Sequence, residues 1–247
     1  LTMEFELRRG VKFHNGADFG ADDVVATLGT VSKKEYGSRY SILVDWIESV
    51  EKLGPYKVRI KMSKPFAGAV EMLADALSIY PHKEFLAGGS EAMVRTPIGT
   101  GPYRLVKQEP GIRYVFERFD DHYEGSPKGK AKIKNIVVRT IPEANTQYAE
   151  LMAGKLDWIW RIPPDQARKL ASRVQIMNAP IMRIGYFGFA PESLGGDSPI
   201  AKKEVRQAMI HAINRPALAK AFVGGSSQVL NSACNPKQFG CEQSVAS

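Results

Sequence analysis

Apolar and polar residues alternate near both ends of the first sixty positions. MEFELR sets Met3, Phe5 and Leu7 against Glu4, Glu6 and Arg8, the period-two pattern of a half-buried strand. YKVRIKM repeats it, with Val58, Ile60 and Met62 against Lys57, Arg59 and Lys61. Between these strands the period lengthens to that of a helix. ADDVVATLGTV places Val24, Val25, Leu28 and Val31 on one face, with Asp22 and Asp23 near the positive N-terminal end. Asn15-Gly16 is a dipeptide favoured in tight turns. Trp46, in LVDWIESV, is expected in the core.

Farther along, IRYVFER and IKNIVVRT read as two strands joined by the polar stretch DDHYEGSPKGKAK. PEANTQYAELMAG follows as a helix with Ala144, Tyr148, Leu151 and Met152 on one face and Gly154 as its stop. LDWIWRI is predicted as a strand, Pro163-Pro164 as the start of a helix, and IMRIGYFGF as another apolar strand. In KKEVRQAMIHAI, Val205, Ala208, Met209, Ala212 and Ile213 fall at helical spacing, broken near Asn214 and Pro216 before a second short helix. The pattern is mixed α/β, with no internal repeat.

PIGTGPYRL, residues 97–105, invites comparison with a phosphate-binding loop. Such a loop needs glycine N–H groups converging on phosphate oxygens, then a Lys and a Ser or Thr opening a helix. Here Pro102 has no N–H to donate, and Tyr103, Leu105 and Val106 read as a strand. Gly99 and Gly101 are therefore expected to serve backbone geometry, with Pro102 stiffening the exit.

The 247 residues are 44% hydrophobic and 24% charged, a globular composition, and no run approaches the ~20 apolar residues of a membrane span. The N-terminal LTMEFELRRG has no signal-peptide pattern; if the protein is exported, the signal is absent from this chain. A net charge of +8 raises nucleic-acid binding as one reading. The basic residues are scattered, and the densest cluster, Lys128, Lys130, Lys132 and Lys134, has no aromatic residues interleaved for base stacking, so a solvated loop is expected there. Cys234 and Cys241, the only cysteines, suggest a local disulfide in an oxidising compartment; two thiols or a metal site are the alternatives. His14, His82, His122 and His211 show no metal-ligand spacing, and His14 and His82 are expected to be exposed or hydrogen-bonded. No G-x-S-x-G, no H-E-x-x-H and no nucleophile with a base occurs, so neither an enzyme nor a cofactor is expected.

Taken in order, FELRRGVKFHNGADFGADDVVATL, GTGPYRLV, ERFDDHYEG, AGKLDWI and SPIAKKEVRQAMIHAINRPAL resemble the family 5 extracytoplasmic solute-binding proteins of ABC importers. The resemblance implies a type II periplasmic-binding-protein-like α/β fold with an extra small β-rich domain and an incomplete second lobe. It implies that residues 1–103 are part of the small domain, 104–190 the central part of the first lobe, and 191–247 the linker and start of the second. It makes PIGTGPYRL the crossing from the small domain into the first lobe. Gly20 stands where the family commonly has a hydroxyl residue, a loss of about 0.5 kcal/mol of capping. CNPKQFGC resembles a loop of some members, where a disulfide suits an exported protein.

The same resemblance implies a periplasmic or membrane-anchored monomer. Its partners would be a small solute, a peptide first, and the membrane subunits of an ABC permease, with no nucleic acid. Metal chelates, opines, sugars or glutathione are other solutes of the family. Trp158 and Trp160 lie on one side of the predicted strand, either as packing or as a platform in the cleft. Arg161 suits a solute carboxylate or a surface ion pair. Tyr186 and Phe187, between Gly185 and Gly188, are candidates for the cleft or for a packed central strand. An interaction module that has kept the fold but lost transport is the competing reading.

Overall fold

The computed structural model describes residues 1–37, 41–127, 129–179, 181–190, 198–223, 227–238 and 240–242. Contacts divide the chain into two units, Leu1–Pro142 and Glu143–Ser247.

The first unit contains two three-stranded antiparallel sheets. In the first, β1 (Thr2–Glu6) and β2 (Ile47–Gly54) flank β3 (Lys57–Met62). Its register pairs Met3 with Ile60 and Phe5 with Val58, so the apolar sides of both alternating segments coincide. The opposite side carries Glu4, Glu51, Lys57, Arg59 and Lys61 as a ladder of ion pairs. Helix α1 (Ala21–Val31) lays Val24 and Leu28 on the apolar side. Trp46, Ile47, Val58, Ile60 and Ala69 complete this core. Each large side chain buried there contributes roughly 1.5–3 kcal/mol.

Two helices follow, α2 (Ala69–Asp75) and α3 (His82–Arg95), the latter interrupted at Gly89, where φ is +60°. Asp23 ties α1 to α3. Its buried carboxylate accepts from the Gly20 N–H at 2.8 Å, and from the backbone N–H and Nδ1 of His82, each at 2.8 Å. Gly20 thus caps α1 through Asp23 rather than through a hydroxyl of its own, and a Cβ there would lie 3.1 Å from the Pro55 carbonyl oxygen.

The second sheet is β4 (Tyr103–Glu109), β5 (Arg113–Arg118) and β6 (Asn135–Arg139) in that order. A register shift between Leu105 and Lys107 makes Val106 the extra residue of a bulge, which accounts for two adjacent apolar residues in a strand. The 130–134 segment leading to β6 exposes Lys130, Lys132 and Lys134; Lys128 lies outside the described residues.

The second unit is helical where it is regular: α4 (Ala144–Met152), α5 (Pro164–Leu170), α6 (Lys203–His211) and α7 (Arg215–Leu218). Gly154, at φ +70°, ends α4 as its sequence position suggests, and Pro164 occupies the first turn of α5. LDWIWRI and IMRIGYFGF, however, are not strands. An extended segment needs a neighbour to pair its N–H and C=O groups, and among the described residues neither segment has a partner strand. No described helix is long and apolar enough to cross a membrane.

Candidate functional site

Trp158 and Trp160 lie in the irregular segment between α4 and α5. Their rings meet edge to face with centroids 5.1 Å apart, and both stay largely in solvent, at 68% and 64% exposure. Without a strand, the expected common side is replaced by direct ring contact. Arg161 follows with φ +62°, a left-handed backbone uncommon for a residue with a Cβ, which turns the chain before Pro163. Its side chain is exposed.

Tyr186 and Phe187 are 78% and 75% exposed, so within this chain they are not the packed aromatics of a central strand. Among the described residues no ring contact joins them to the tryptophan pair. A Cβ at Gly185 would meet nothing within 4 Å, and one at Gly188 only the Tyr186 ring at 3.8 Å. A shallow recess of 450 Å³ lies along α4, lined by Asn145, Thr146, Ala149, Glu150, Ala153 and Lys155; it includes none of the five candidate residues.

Cys234 and Cys241 form a disulfide, with Cα atoms 5.7 Å apart. Ser232 Oγ lies 3.3 Å from Cys234 Sγ. Phe239, inside this loop, lies outside the described residues, as does the 191–197 segment at the expected lobe crossover. No cluster of three or more metal-ligating side chains occurs among the described residues.

The GTGP loop is held by two histidines that the sequence pattern did not single out as a pair. The His14 N–H donates to the Gly99 carbonyl at 2.9 Å, its Nδ1 accepts from the Gly99 N–H at 3.3 Å, and its Nε2 donates to the Gly101 carbonyl at 2.9 Å. His122 Nδ1 donates to the Thr100 carbonyl at 3.1 Å, while its Nε2 is buried with no hydrogen-bond partner. The Phe119 N–H donates to the Pro102 carbonyl at 2.9 Å, and the Phe119 ring meets His14 edge to face. Burial holds the His14 imidazole below its ordinary value; the Gly101 carbonyl pulls it back up, and the charges of Arg104 and His122 press it down further. Neither Gly99 nor Gly101 has a positive φ. The loop uses their backbone groups, not left-handed freedom. The signal available in sequence was a histidine in each of two polar turns, HNG and DDH, one on either side of the same loop.

Helices and antiparallel sheets together make this an α/β chain whose candidate aromatic residues lie in solvent. The chain belongs to the bacterial extracellular solute-binding proteins, family 5, whose middle region matches residues 1–245. It is 31% identical to the glutathione-binding protein GsiB of Salmonella choleraesuis over 228 residues, covering 91% of this chain and 43% of the relative. It is 31% identical to heme-binding protein A of Haemophilus influenzae over 262 residues, covering 96% and 46%. The crystal structure of the oligopeptide-binding protein AppA of Bacillus subtilis with a nonapeptide superposes at a TM-score of 0.75 with 25% identity, covering all of this chain and 49% of that one. The chain spans less than half the length of these relatives.

Proposed function

We propose that this chain is the middle part of a receptor that captures a small solute outside the cytoplasm, a short peptide first, and delivers it to the membrane subunits of an ABC importer. The observation that carries this reading is the match of residues 1–245 to the family. The relative named for glutathione, itself a tripeptide, and the nonapeptide held by the structural relative favour peptides as the solute class. The receptor works by binding alone and carries out no catalysis.

In this reading residues 1–103 belong to the small extra domain, 104–190 to the first lobe and 191–247 to the linker and opening of the second. Trp158 and Trp160 supply apolar surface to the solute, Arg161 meets a carboxylate, and Tyr186 and Phe187 lie near the crossover. Their exposure in this chain supports the assignment, because aromatic rings in water are available for a ligand to cover. The Cys234–Cys241 disulfide supports an oxidising location, periplasmic or exported and anchored.

Native mass spectrometry of the full-length protein, purified gently from its own cells, tests the reading. A co-purified mass matching a peptide of a few residues is the expected result. A bound chromophore with the mass of a heme would change the solute class, and a protein that never carries or binds any small solute would favour an interaction module.

A further inference from the structure

His14 carries out a task that only one protonation state of its ring permits. A backbone carbonyl can only accept and a backbone amide can only donate. The contact with the Gly101 carbonyl therefore places the hydrogen on Nε2, and the contact with the Gly99 N–H requires a lone pair on Nδ1. Neutral imidazole meets both demands in a single tautomer. An imidazolium has an N–H at each nitrogen, so Nδ1–H would point at the Gly99 N–H and two donors would face each other.

The loop that His14 grips joins α3 to β4 and so leads from the first sheet's side of the unit into the second sheet. His14 itself follows β1 in the first sheet. Other contacts also reach the loop after β5, including the Arg8 guanidinium over the Tyr123 ring at 5.2 Å. We propose that His14 is an acid-sensitive latch: neutral, it fastens the crossing between the two sheets, and protonated, it lets go of Gly99 and loosens that crossing.

The surroundings oppose charge on this ring. Burial does so first, and the charges of Arg104 on β4 and His122 on the loop after β5 add to it, while the Phe119 ring packs against the imidazole edge to face. On its own turn Lys12 and Asp18 pair with each other at 3.1 Å. On α3 the Glu84 carboxylate is taken by Asn15 Nδ2 at 2.7 Å. Among the described residues no carboxylate bonds to the His14 imidazole. The ring is lowered in its folded setting, so the stability it contributes is present above the ordinary histidine value and is lost as pH falls through the folded one. The bond from the His14 N–H to the Gly99 carbonyl does not titrate, so release loosens the loop without freeing it.

NMR on the isotope-labelled 247-residue chain between pH 8 and pH 4 tests the latch. The His14 Cε1–H signal reports the protonation of the ring. The protection factor of the Gly99 amide, corrected for intrinsic exchange, reports the latch. We expect protection to fall at least tenfold with the same midpoint as the His14 signal, while the Met62 amide in the first sheet keeps its protection. His14→Asn, which offers an uncharged oxygen near the place of Nδ1, is expected to abolish the step, and His122→Asn to keep it. Flat Gly99 protection through the His14 midpoint overturns the proposal. So does a step that survives in His14→Asn or disappears in His122→Asn. If a variant does not fold, the wild-type comparison of the two midpoints still decides.

Discussion

Asp23 is a charged side chain that the core tolerates because both of its oxygens are engaged. One accepts the Gly20 N–H at the start of α1; the other accepts two N–H groups of His82 at the start of α3. A buried carboxylate without such partners would cost several kcal/mol, so the three bonds are a condition of the burial. Replacing Asp23 with Ala strips two helix starts of an acceptor at once and leaves their half-buried donors without it. We expect Asp23→Ala to lower the unfolding free energy by about 3 kcal/mol, and Asp23→Asn by about half as much, because the amide keeps one acceptor oxygen. Urea unfolding of the three proteins checks this; a loss below about 0.5 kcal/mol for the alanine variant would show that water takes over the orphaned donors. Thr27, one turn along α1, makes a similar but weaker tie by exchanging hydrogen bonds with the Tyr80 backbone at 3.1 and 3.4 Å.

At the scale of elements, the β4–β5 hairpin is closed by charge at its turn. Arg113 and then Lys107 hold the Glu109 carboxyl far below the ordinary carboxylate range, down to about 2. The group is lowered in the folded state, so its contribution is present above the ordinary value and is lost as pH falls toward 2. It is also solvent-accessible, so salt should weaken it. A pH titration followed by NMR should place the Glu109 midpoint near 2 at low salt and move it upward in 1 M NaCl; a midpoint at the ordinary glutamate value would show the ion pairs to be unoccupied in solution. Strands β1 and β3 were legible in the sequence because period-two alternation survives in them, and β5 because Tyr114, Val115 and Phe116 form a short apolar, β-favouring run. β2 was not legible: register shifts between Ile47 and Ser49, and again between Lys52 and Gly54, break its alternation. α3 hides behind Gly88 and Gly89, whose interruption of the helix mimics a loop. The two segments wrongly predicted as strands failed for the opposite reason. Their apolar pattern is strong, but pattern alone supplies no neighbour to pair with. Of the candidate site, the sequence pointed to the exposed aromatics but not to the His14 and His122 grip on the GTGP loop, which depends on residues 87 and 22 positions away from their partners.

For the whole molecule, the distribution of buried surface matters most. Every buried hydrophobic residue described lies between Val11 and Phe119, in the first unit. The second unit exposes Trp158, Trp160, Met177, Ile181, Tyr186 and Phe187 instead. Covering any one of these side chains is worth roughly 1.5–3 kcal/mol, so the exposed set is a large unspent source of binding or folding energy. A solute site draws on that source only when it encloses the ligand, typically over 70–90% of the ligand's surface. Rings that are mostly in solvent give a peptide one wall and no enclosure. Calorimetry of a tripeptide and of a nonapeptide with this 247-residue chain is therefore expected to give a Kd weaker than about 100 μM, while a protein of the relatives' full length should bind its own solute far more tightly. A micromolar Kd corresponds to about 8 kcal/mol, more than an open aromatic wall can supply after the entropy of association is paid. Finding micromolar or tighter binding in the 247-residue chain would mean that its second unit forms an enclosed site without further sequence. Replacing Trp158 and Trp160 with alanine would then show whether the tryptophan pair lines it.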